Sequence, residues 1–442
     1  MEIKLSDHFT YRRLFQFVIP SIVMMIFTSI YGVVDGFFVS NFVGKTEFAA
    51  VNLIMPLPMM LGAFGFMIGT GGSALVAMLL GQEKKQRANE VFSMLVKVTV
   101  IAGAVLTILG VIFTRQIALL LGATEELVGP CTVYGRILLL SLIPFMLQNV
   151  FQSFLVTAEK PNFGLAVTVA AGLTNVVLDF VLIGVLRGGV VGAALATAIS
   201  QFVGGMIPFV YFIRENTSEL RLVRAGVDFR MLGKTCFNGS SELMTNISMS
   251  LVNMLYNLQL LKYAGENGVA AYGVIMYVNF IFVAVFIGYA IGSAPIIGYH
   301  YGAGNQAEMK NVFRKSLIFN VSAGVVMCAA AIMMSGVLAG VFVSYDAELF
   351  EMTKRGFSIY SVSFLVMGLN IYGSSFFTAL GDGLVSALIS FLRTLLFQIA
   401  AVLIFPVFFG LDGIWFSIVA AEVLALVVTV GFWVTKRKKY GY

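Results

Sequence analysis

The chain is poor in charged residues, which make up 11% of its 442 positions. A soluble domain has roughly 25%. Hydrophobic residues make up 59%, and the mean hydropathy is +0.94. A water-soluble fold of this composition could not cover its apolar surface with polar side chains. The scarcity of charge therefore excludes a soluble protein and indicates a membrane protein that is solvated by lipid.

Residues and motifs that would form a metal site, a cofactor site or a catalytic site are also scarce. The three cysteines, Cys131, Cys236 and Cys328, lack the spacing of a metal site or a disulfide framework, so we predict no metal and no cofactor. The chain has no phosphate-binding P-loop, no HExxH motif and no convincing Ser/His/Asp set. We therefore predict that the protein is not an enzyme and that ATP does not drive it directly. The net charge of +6 lies in short clusters beside apolar segments, which argues against a nucleic-acid partner.

Long apolar runs recur along the whole chain and predict its fold class. A helix crosses the hydrocarbon core of a membrane with about 20 apolar residues. We predict an all-α integral membrane protein with twelve transmembrane helices. The first run begins near Leu14 and is too long for a cleavable signal peptide. The runs lie at 14–41, 49–80, 92–113, 133–157, 163–186, 190–213, 236–262, 270–300, 316–343, 357–380, 384–408 and 413–435.

Lys and Arg are distributed unequally among the connecting segments. With a cytoplasmic N-terminus, the inside segments hold 19 of these residues and the outside loops hold 6. Lys and Arg are enriched in the cytoplasmic loops of membrane proteins. We therefore expect a multi-pass protein of the cell's inner membrane with both termini in the cytoplasm.

The second half of the chain repeats the first at a shift of 221 residues. Six helices per half give parallel repeats around a central cavity, an arrangement that suits alternating access. We predict an N-terminal six-helix lobe at 1–213, a cytoplasmic linker at 214–235 and a C-terminal six-helix lobe at 236–442. Matching pairs include Gly44 and Gly265, Gly71 and Gly292, Gly81 and Gly302, Asn149 and Asn370, and Gly189 and Gly410.

Two acidic residues, Asp35 and Asp179, are predicted to lie deep within spans 1 and 5. An ionised side chain in the membrane costs several kcal/mol unless it is paired or wet, so these acids indicate a site for a proton or another cation. Asn175 precedes Asp179 by four residues and faces the same way. The alternative is that each Asp only caps or pairs with a neighbouring helix. The 221-residue shift aligns Asp35 with Tyr256 and Asp179 with Ala400, which confines the acids to the first half.

The second half has a different set of charged residues within its spans. Arg393 in span 11 and Glu422 in span 12 are expected to form a buried ion pair that holds two helices together. Glu242, at the start of span 7, is expected to reach the cytoplasmic interface. Gly381-Asp382-Gly383 is loosely similar to a motif of intramembrane aspartyl proteases, but it lies between spans 10 and 11 and fits a turn better.

Three stretches, in this order and within a repeated six-helix pattern, resemble the multidrug and toxic-compound extrusion (MATE) family. The resemblance covers essentially the full length and is nearest to the MepA-like and DinF-like bacterial branch. The first stretch runs from Pro20 to Asp35 and continues with Phe37-Phe38-Val39. The second is Asn175-x-x-x-Asp179 followed by Gly-Ala-Ala-Leu-Ala-Thr at 192–197, and the third is Pro-Ile-Ile-Gly-Tyr-His-Tyr-Gly-Ala-Gly at 295–304.

The resemblance implies two six-helix bundles and secondary antiport, in which cationic or amphipathic drugs leave the cell in exchange for H⁺ or Na⁺. The NorM-like branch has a Glu well inside its seventh helix, whereas Glu242 lies near the start of span 7, so we do not expect a NorM-type site. In DinF-like members a polar cluster is thought to bind the coupling cation. The matching positions here are Asp35, Tyr134, Asn175, Asp179 and Thr197, with Pro20 as a bending point of the first helix.

The expected partners are lipophilic or cationic small molecules and membrane lipids, and we expect a monomer. A flippase for lipid-linked saccharides is the alternative within transport, and a membrane enzyme is the alternative outside it. Fourteen helices and a cationic cavity would favour the flippase. Twelve helices and an acidic lobe favour the drug exporter, with H⁺ and Na⁺ both open as the coupling ion.

Overall fold

The computed structural model describes residues 3–442, apart from the side chain of Lys45. These residues form helices joined by turns and contain no strand, which confirms the predicted all-α class. The first half of the chain contains α1 (Tyr11–Phe42), α2 (Lys45–Ile54), α3 (Pro56–Gly81), α4 (Lys85–Leu120), α5 (Glu125–Leu140), α6 (Leu142–Thr157), α7 (Pro161–Leu178) with a π-helical continuation (Asp179–Val185), and α8 (Gly189–Ile213).

A short amphipathic helix, α9 (Phe229–Asn238), leads into the second half and begins within the predicted linker. The second half contains α10 (Ser240–Gly302), α11 (Gln306–Val343), α12 (Ala347–Ser361), α13 (Phe364–Ala379), α14 (Gly383–Phe391) with a π-helical continuation (Leu392–Leu396), and α15 (Phe397–Tyr440). The boundaries of the two lobes and the linker stay a prediction.

Several of the described helices are long and apolar enough to cross a membrane. Eight pass this test by length and composition, and up to ten do if each of two bent helix pairs is one span. Two of the eight are 63 and 58 residues long, and each contains one glycine with a non-helical backbone, Gly265 and Gly410. The predicted count of twelve requires each of these two to cross twice, and it stays a prediction.

Backbone geometry in the two halves follows the 221-residue shift. The bent pairs α5/α6 and α12/α13 occupy matching positions, with bends of 53° and 50°. Glu83, which is not a glycine, has the same left-handed backbone as its partner Gly304, a conformation that few side chains tolerate. The repeats therefore share a backbone even where the residue differs. The paired φ angles are 114° and 61° at Gly44 and Gly265, 55° and 58° at Gly189 and Gly410, and 61° and 69° at Glu83 and Gly304.

The first and the last residues that the structure describes lie at one face of the bundle, which we call the terminal face. It is formed by residues 3–10 and 440–442 and by the loops 82–84, 158–160, 303–305 and 380–382. Contacts among these segments bring them together, since Leu5 N–H donates to Glu159 and the Tyr440 hydroxyl donates to Asp382.

At the terminal face α3 of the first half and α10 of the second half meet backbone to backbone. A Cβ added to Gly81 would lie 2.0 Å from the carbonyl oxygen of Tyr299, and one added to Gly302 would lie 2.1 Å from that of Met78. Gly81 and Gly302 are 221 residues apart, and so are Met78 and Tyr299. The contact therefore has a pseudo-two-fold symmetry, and the halves are closed against each other at this face.

Candidate cation-binding site

The predicted acidic residues meet between α1 and α7. The Asp35 carboxyl group, on α1, lies against the side chains of Asp179, Asn175 and Thr197. Asp179 is 0% exposed and Asn175 is 2% exposed. The structure thus brings together residues that are up to 162 positions apart in the chain. We call Asp35, Tyr134, Asn175, Asp179 and Thr197 the acidic cluster.

A change of helix type places Asp179 in this cluster. The regular helix α7 ends at Leu178, and the π-helical segment begins at Asp179. The Asp179 N–H still donates to the carbonyls of Asn175 and Val176, so the backbone is satisfied there. Single π-helical turns within α-helices are frequent at functional sites. The wider turn changes the direction in which the following side chains point.

Several oxygens of the acidic cluster have no hydrogen-bond partner among the described residues, although they are buried. They are Oδ1 of Asp35, both carboxylate oxygens of Asp179 and Oδ1 of Asn175. The Thr197 hydroxyl donates to the carbonyl of Ala193 at 3.2 Å, which leaves its oxygen free to accept. Carboxylate, amide and hydroxyl oxygens are the ligands that hard cations prefer. The donor set therefore suits a proton or a small alkali cation.

Tyr134 closes one side of the acidic cluster. Its side chain is 1% exposed, and its hydroxyl faces Thr197 and both carboxyl groups. The hydroxyl also makes a weak 3.9 Å contact with the sulfur of Met55. A buried tyrosine in this place excludes water and offers one more oxygen to a ligand.

Two further residues, which the sequence analysis did not single out, adjoin the acidic cluster. Tyr31, one helical turn before Asp35, lies with its hydroxyl near that carboxyl group and near the side chain of Gln148 on α6.

Pro20, the expected bending point, lies inside α1, which continues as a helix to Phe42. Its role in bending stays a prediction.

A second polar cluster lies in the other half, around Arg393 and Glu422. The Arg393 Nε–H lies 2.9 and 3.0 Å from the two carboxylate oxygens of Glu422. Asn370 donates to the same carboxylate and to the backbone carbonyl of Glu422, both at 2.8 Å. Thr429 in turn donates to Asn370 at 3.1 Å. The pair is nearly sealed from solvent, with side-chain exposures of 14% and 2%.

The two halves use equivalent positions differently. Asn370 is bonded to an acid, whereas Nδ2 of its repeat partner Asn149 has no partner among the described residues. At positions that the 221-residue shift does not relate, Arg393 lies in the π-helical segment of the second half and Asp179 in that of the first. Each half thus carries one intramembrane ionisable residue on a π-helical turn, an acid in one and a base in the other.

Similarity to known proteins agrees with this arrangement. The MatE family model matches this chain twice, at residues 20–181 and 243–404, once in each half. The chain belongs to the MatE family.

Curated relatives of this MatE protein match it over almost its whole length. The multidrug export protein MepA of Staphylococcus saprophyticus is 26% identical over 419 residues, which cover 94% of this chain and 91% of the relative. The MepA protein of Staphylococcus aureus is 25% identical over 416 residues, with 94% and 91% covered. The resemblance stated from the sequence motifs is thereby confirmed.

Solved structures share the fold. A multidrug resistance MATE family transporter of the MOP superfamily, solved in an outward-facing conformation, has a TM-score of 0.92 and 23% identity, with 97% of this chain and 96% of that chain covered. A MOP superfamily transporter from Pyrococcus furiosus, described as having a binding pocket of reverse polarity, has a TM-score of 0.91 and 22% identity, with 98% of each chain covered.

Glu242 remains outside both clusters. It lies in the first turn of α10, partly buried and facing Arg393, and its backbone carbonyl accepts from Asn246 at 2.8 Å. Since Arg393 is bonded to Glu422, the structure gives Glu242 no ion pair among the described residues. It lies in the first turn of the helix, as the sequence indicated, and its reach to the cytoplasmic interface stays a prediction.

Proposed function

We propose that this MatE protein is a secondary antiporter that exports lipophilic or cationic drugs and toxic compounds in exchange for H⁺ or Na⁺. The observation that carries the proposal is the acidic cluster. Two carboxyl groups, Asp35 and Asp179, share one buried pocket, and neither forms an ion pair with a described residue. Such a pocket gains stability when it takes up a proton or cation, because buried carboxylates are costly without a positive partner.

The substrate class is extended to this chain from its staphylococcal relatives, which are multidrug export proteins. The carboxyl groups of Asp35 and Asp179 form no ion pair with a described residue, and unpaired acidic groups in the first half of the chain suit a cationic drug. We further propose that the substrate crosses without chemical conversion and that the transporter works as a monomer among membrane lipids.

Exchange requires that the drug and the coupling ion favour different conformations. A ligand shifts a conformational equilibrium only by its difference in affinity for the two states. The structure is closed at the terminal face by the contacts of Gly81 and Gly302. In our proposal an ion that binds between α1 and α7 from the outside displaces the drug while the terminal face is closed. The ion-loaded protein then opens at the terminal face, releases the ion there and binds the next drug.

We propose that the terminal face is cytoplasmic and that the protein lies in the inner membrane. The excess of Lys and Arg in the segments assigned to this side supports the orientation. Maleimide labelling of a cysteine introduced at Arg224, which is exposed on this side, tests it in sealed cells. Labelling from outside the cell would reverse the assignment.

The function is tested in vesicles that contain the purified protein. Transport of ethidium, an aromatic cation, is measured with a pH gradient or a Na⁺ gradient imposed separately. We expect one of the two gradients to drive ethidium across the membrane against its own gradient. An ionophore that collapses the gradient should abolish the transport, and protein-free vesicles should show none. If neither gradient drives ethidium or another lipophilic cation, the proposed function is wrong.

A further inference from the structure

Residues 3–10, which lie before α1, are held firmly although they form no helix. We call residues 3–10 the strap. Two of its side chains, Leu5 and Phe9, are 1% and 0% exposed. They belong to an apolar cluster that contains Val156 of the first half as well as Tyr289 and Ile296 of the second. The strap therefore lies where the two halves meet at the terminal face.

The first anchor of the strap is a glutamate of the first half. Glu159, in the loop between α6 and α7, accepts a hydrogen bond of 2.6 Å from the Leu5 N–H. A backbone N–H that leaves water needs an acceptor, and the Glu159 carboxyl group supplies one. Glu159 thus fixes the start of the strap to the half that also contains α1.

The second anchor is a glutamate of the other half. Glu308, in the first turn of α11, accepts a 2.8 Å bond from the Phe9 N–H, and its other carboxylate oxygen lies 2.6 Å from Nδ1 of His8. The side chains of Asn311 and Lys315 donate to the carbonyl of Phe9. Both backbone groups of Phe9 are therefore bonded to α11.

The strap also covers His300 near the end of α10. The Phe9 ring meets the His300 ring edge to face, with centroids 6.3 Å apart. His300 is 2% exposed, and neither of its ring nitrogens has a hydrogen-bond partner among the described residues. The strap backbone at Leu5 and Asp7 also lies against this ring. The strap therefore seals His300 from water in the closed arrangement.

The two anchors cannot both hold when the halves separate at the terminal face. We propose that residues 3–10 act as a strap that locks the state closed at this face, and that the strap leaves Glu308 and α11 when the face opens. This inference rests on the proposed function, since it assigns the strap a place in alternating access. The strap stays with Glu159, because both belong to the half that contains α1.

The test measures how often the terminal face opens. Ala77, on α3, is buried against Gly298 of α10 close to this face. An Ala77→Cys substitution, in a chain whose three native cysteines are replaced by alanine, reports opening as the rate of maleimide labelling in detergent-solubilised protein. We expect Glu308→Ala to raise this rate by about tenfold, the order expected for the loss of a hydrogen bond to a charged group.

Two further variants make the test decisive. Lys315→Gln removes the charge from one of the bonds to Phe9 and should raise the labelling rate less than Glu308→Ala does. It also replaces Glu308→Ala as the test if that variant does not fold. Tyr440→Phe is the matched control, since it deletes a 2.6 Å bond to Asp382 at the same face but within one half. Its rate should equal that of the parent.

The inference is wrong if both Glu308→Ala and Lys315→Gln leave the labelling rate unchanged, or if Tyr440→Phe raises it equally. The assay uses no drug and no ion gradient. The two hypotheses can therefore fail separately. If the protein does not transport ethidium but Glu308→Ala still raises the labelling rate, the proposed function is wrong and the inference about the strap is supported.

Discussion

Gly302 of α10 lies directly against the backbone of Met78 in α3, so that a Cβ at position 302 would be 2.1 Å from the Met78 carbonyl oxygen. Gly81 makes the symmetrical contact with Tyr299. A Cβ contact this short cannot form unless the backbone moves, because a carbonyl oxygen in a helix has no rotamer by which to yield. The closed terminal face therefore depends on the absence of a side chain at both positions.

The substitution Gly302→Ala should keep the terminal face from closing fully. Overpacking of this kind costs about 1–3 kcal/mol, which lowers the equilibrium constant for closing by roughly 5-fold to 160-fold. Ethidium transport should fall accordingly, and labelling of the Ala77→Cys reporter should rise. Gly233→Ala in α9 is the control, since no atom lies within 4 Å of the added Cβ. Normal transport by Gly302→Ala would show that the contact is not needed.

The ion pair between Arg393 and Glu422 should contribute to stability as a unit. Either single alanine substitution leaves one buried charge without its partner, at a cost of about 3 kcal/mol. The double substitution should cost clearly less than the sum of the two. The measurement is thermal unfolding in detergent for the two single variants and the double variant.

A second ion pair gives the matched control. Arg355 and Asp412 are bonded through Nε at 2.9 Å, but their side chains are 70% and 38% exposed. An exposed pair contributes about 1 kcal/mol or less, so its removal should change the melting temperature little. Strict additivity at Arg393 and Glu422 would show that these two side chains do not depend on each other.

The repeat and the acidic residues could be found in the sequence because each leaves a visible mark. Glycines required by backbone geometry recur at a fixed distance, as at Gly44 and Gly265. An aspartate within an apolar run, such as Asp179, has few structural explanations. Tyr31 could also have been found, since it precedes Asp35 by one helical turn. Gln148 could not, because it is 117 positions from Tyr31 in the chain and only the folded structure brings the two side chains together.

One of the two bends within predicted spans left a mark in the sequence. The run 133–157 was expected as one span, and the chain bends by 53° at Ser141, three residues before Pro144. Proline has no N–H to donate to the carbonyl of Leu140, so the regular helix is interrupted there. The Ser141 hydroxyl oxygen lies 2.6 Å from Oε1 of Gln201 of α8 and 2.9 Å from the carbonyl oxygen of Leu138, and its one proton is donated to one of the two. A side chain that bonds into the helical ladder can bend it, but the partner on α8 is known only from the folded structure.

The contacts between the strap and α11 could not be predicted from the sequence either, because they join residues about 300 positions apart. Residues 3–10 are too few to show a helical or strand period. Nothing in the order of residues indicates that Glu308 binds the N–H of Phe9. Such contacts arise only when packing of the halves brings the start of α11 beside the start of the chain.

Stability should depend on pH through Glu159, which lies in a loop outside the membrane spans. Burial raises the pKa of its carboxyl group, and the bond from Leu5 N–H offsets this only in part. The folded protein then holds a proton on Glu159 at pH values where the unfolded chain has lost it. The contribution of Glu159 is therefore fully present below the ordinary pKa of glutamate and is lost as pH rises through the raised pKa.

The variant Glu159→Gln should lack this pH dependence while it keeps an oxygen that accepts from Leu5. Its melting temperature should exceed that of the wild type above the raised pKa, and the difference should shrink as pH falls toward the ordinary value. Glu215→Gln, at an exposed glutamate, is the control and should follow the wild type. Parallel curves for Glu159→Gln and the wild type would contradict this assignment.

Asp179 should be the main coupling carboxylate, with Asp35 as its partner. Asp179→Asn keeps the size of the side chain and one oxygen ligand but removes a negative charge from a pocket without a described cation. Ion-driven ethidium transport should therefore fall to the level of protein-free vesicles. Ethidium binding should persist at least in part, because the substitution leaves the rest of the cavity unchanged. Transport and binding are measured on the same purified preparation, which also shows that the variant inserts and folds.

The control for this substitution is Asp346→Asn. Asp346 caps the start of α12 by accepting from the N–H groups of Glu348 and Leu349, and asparagine caps a helix about as well as aspartate does. Its transport should equal that of the wild type. Two carboxyl groups this close titrate as a pair, so a proton released on ethidium binding would belong to Asp35 and Asp179 together, and its release should change in either single Asn variant. A double variant, Asp35→Asn with Asp179→Asn, that still moves ethidium against its gradient would show that coupling does not depend on the acidic cluster.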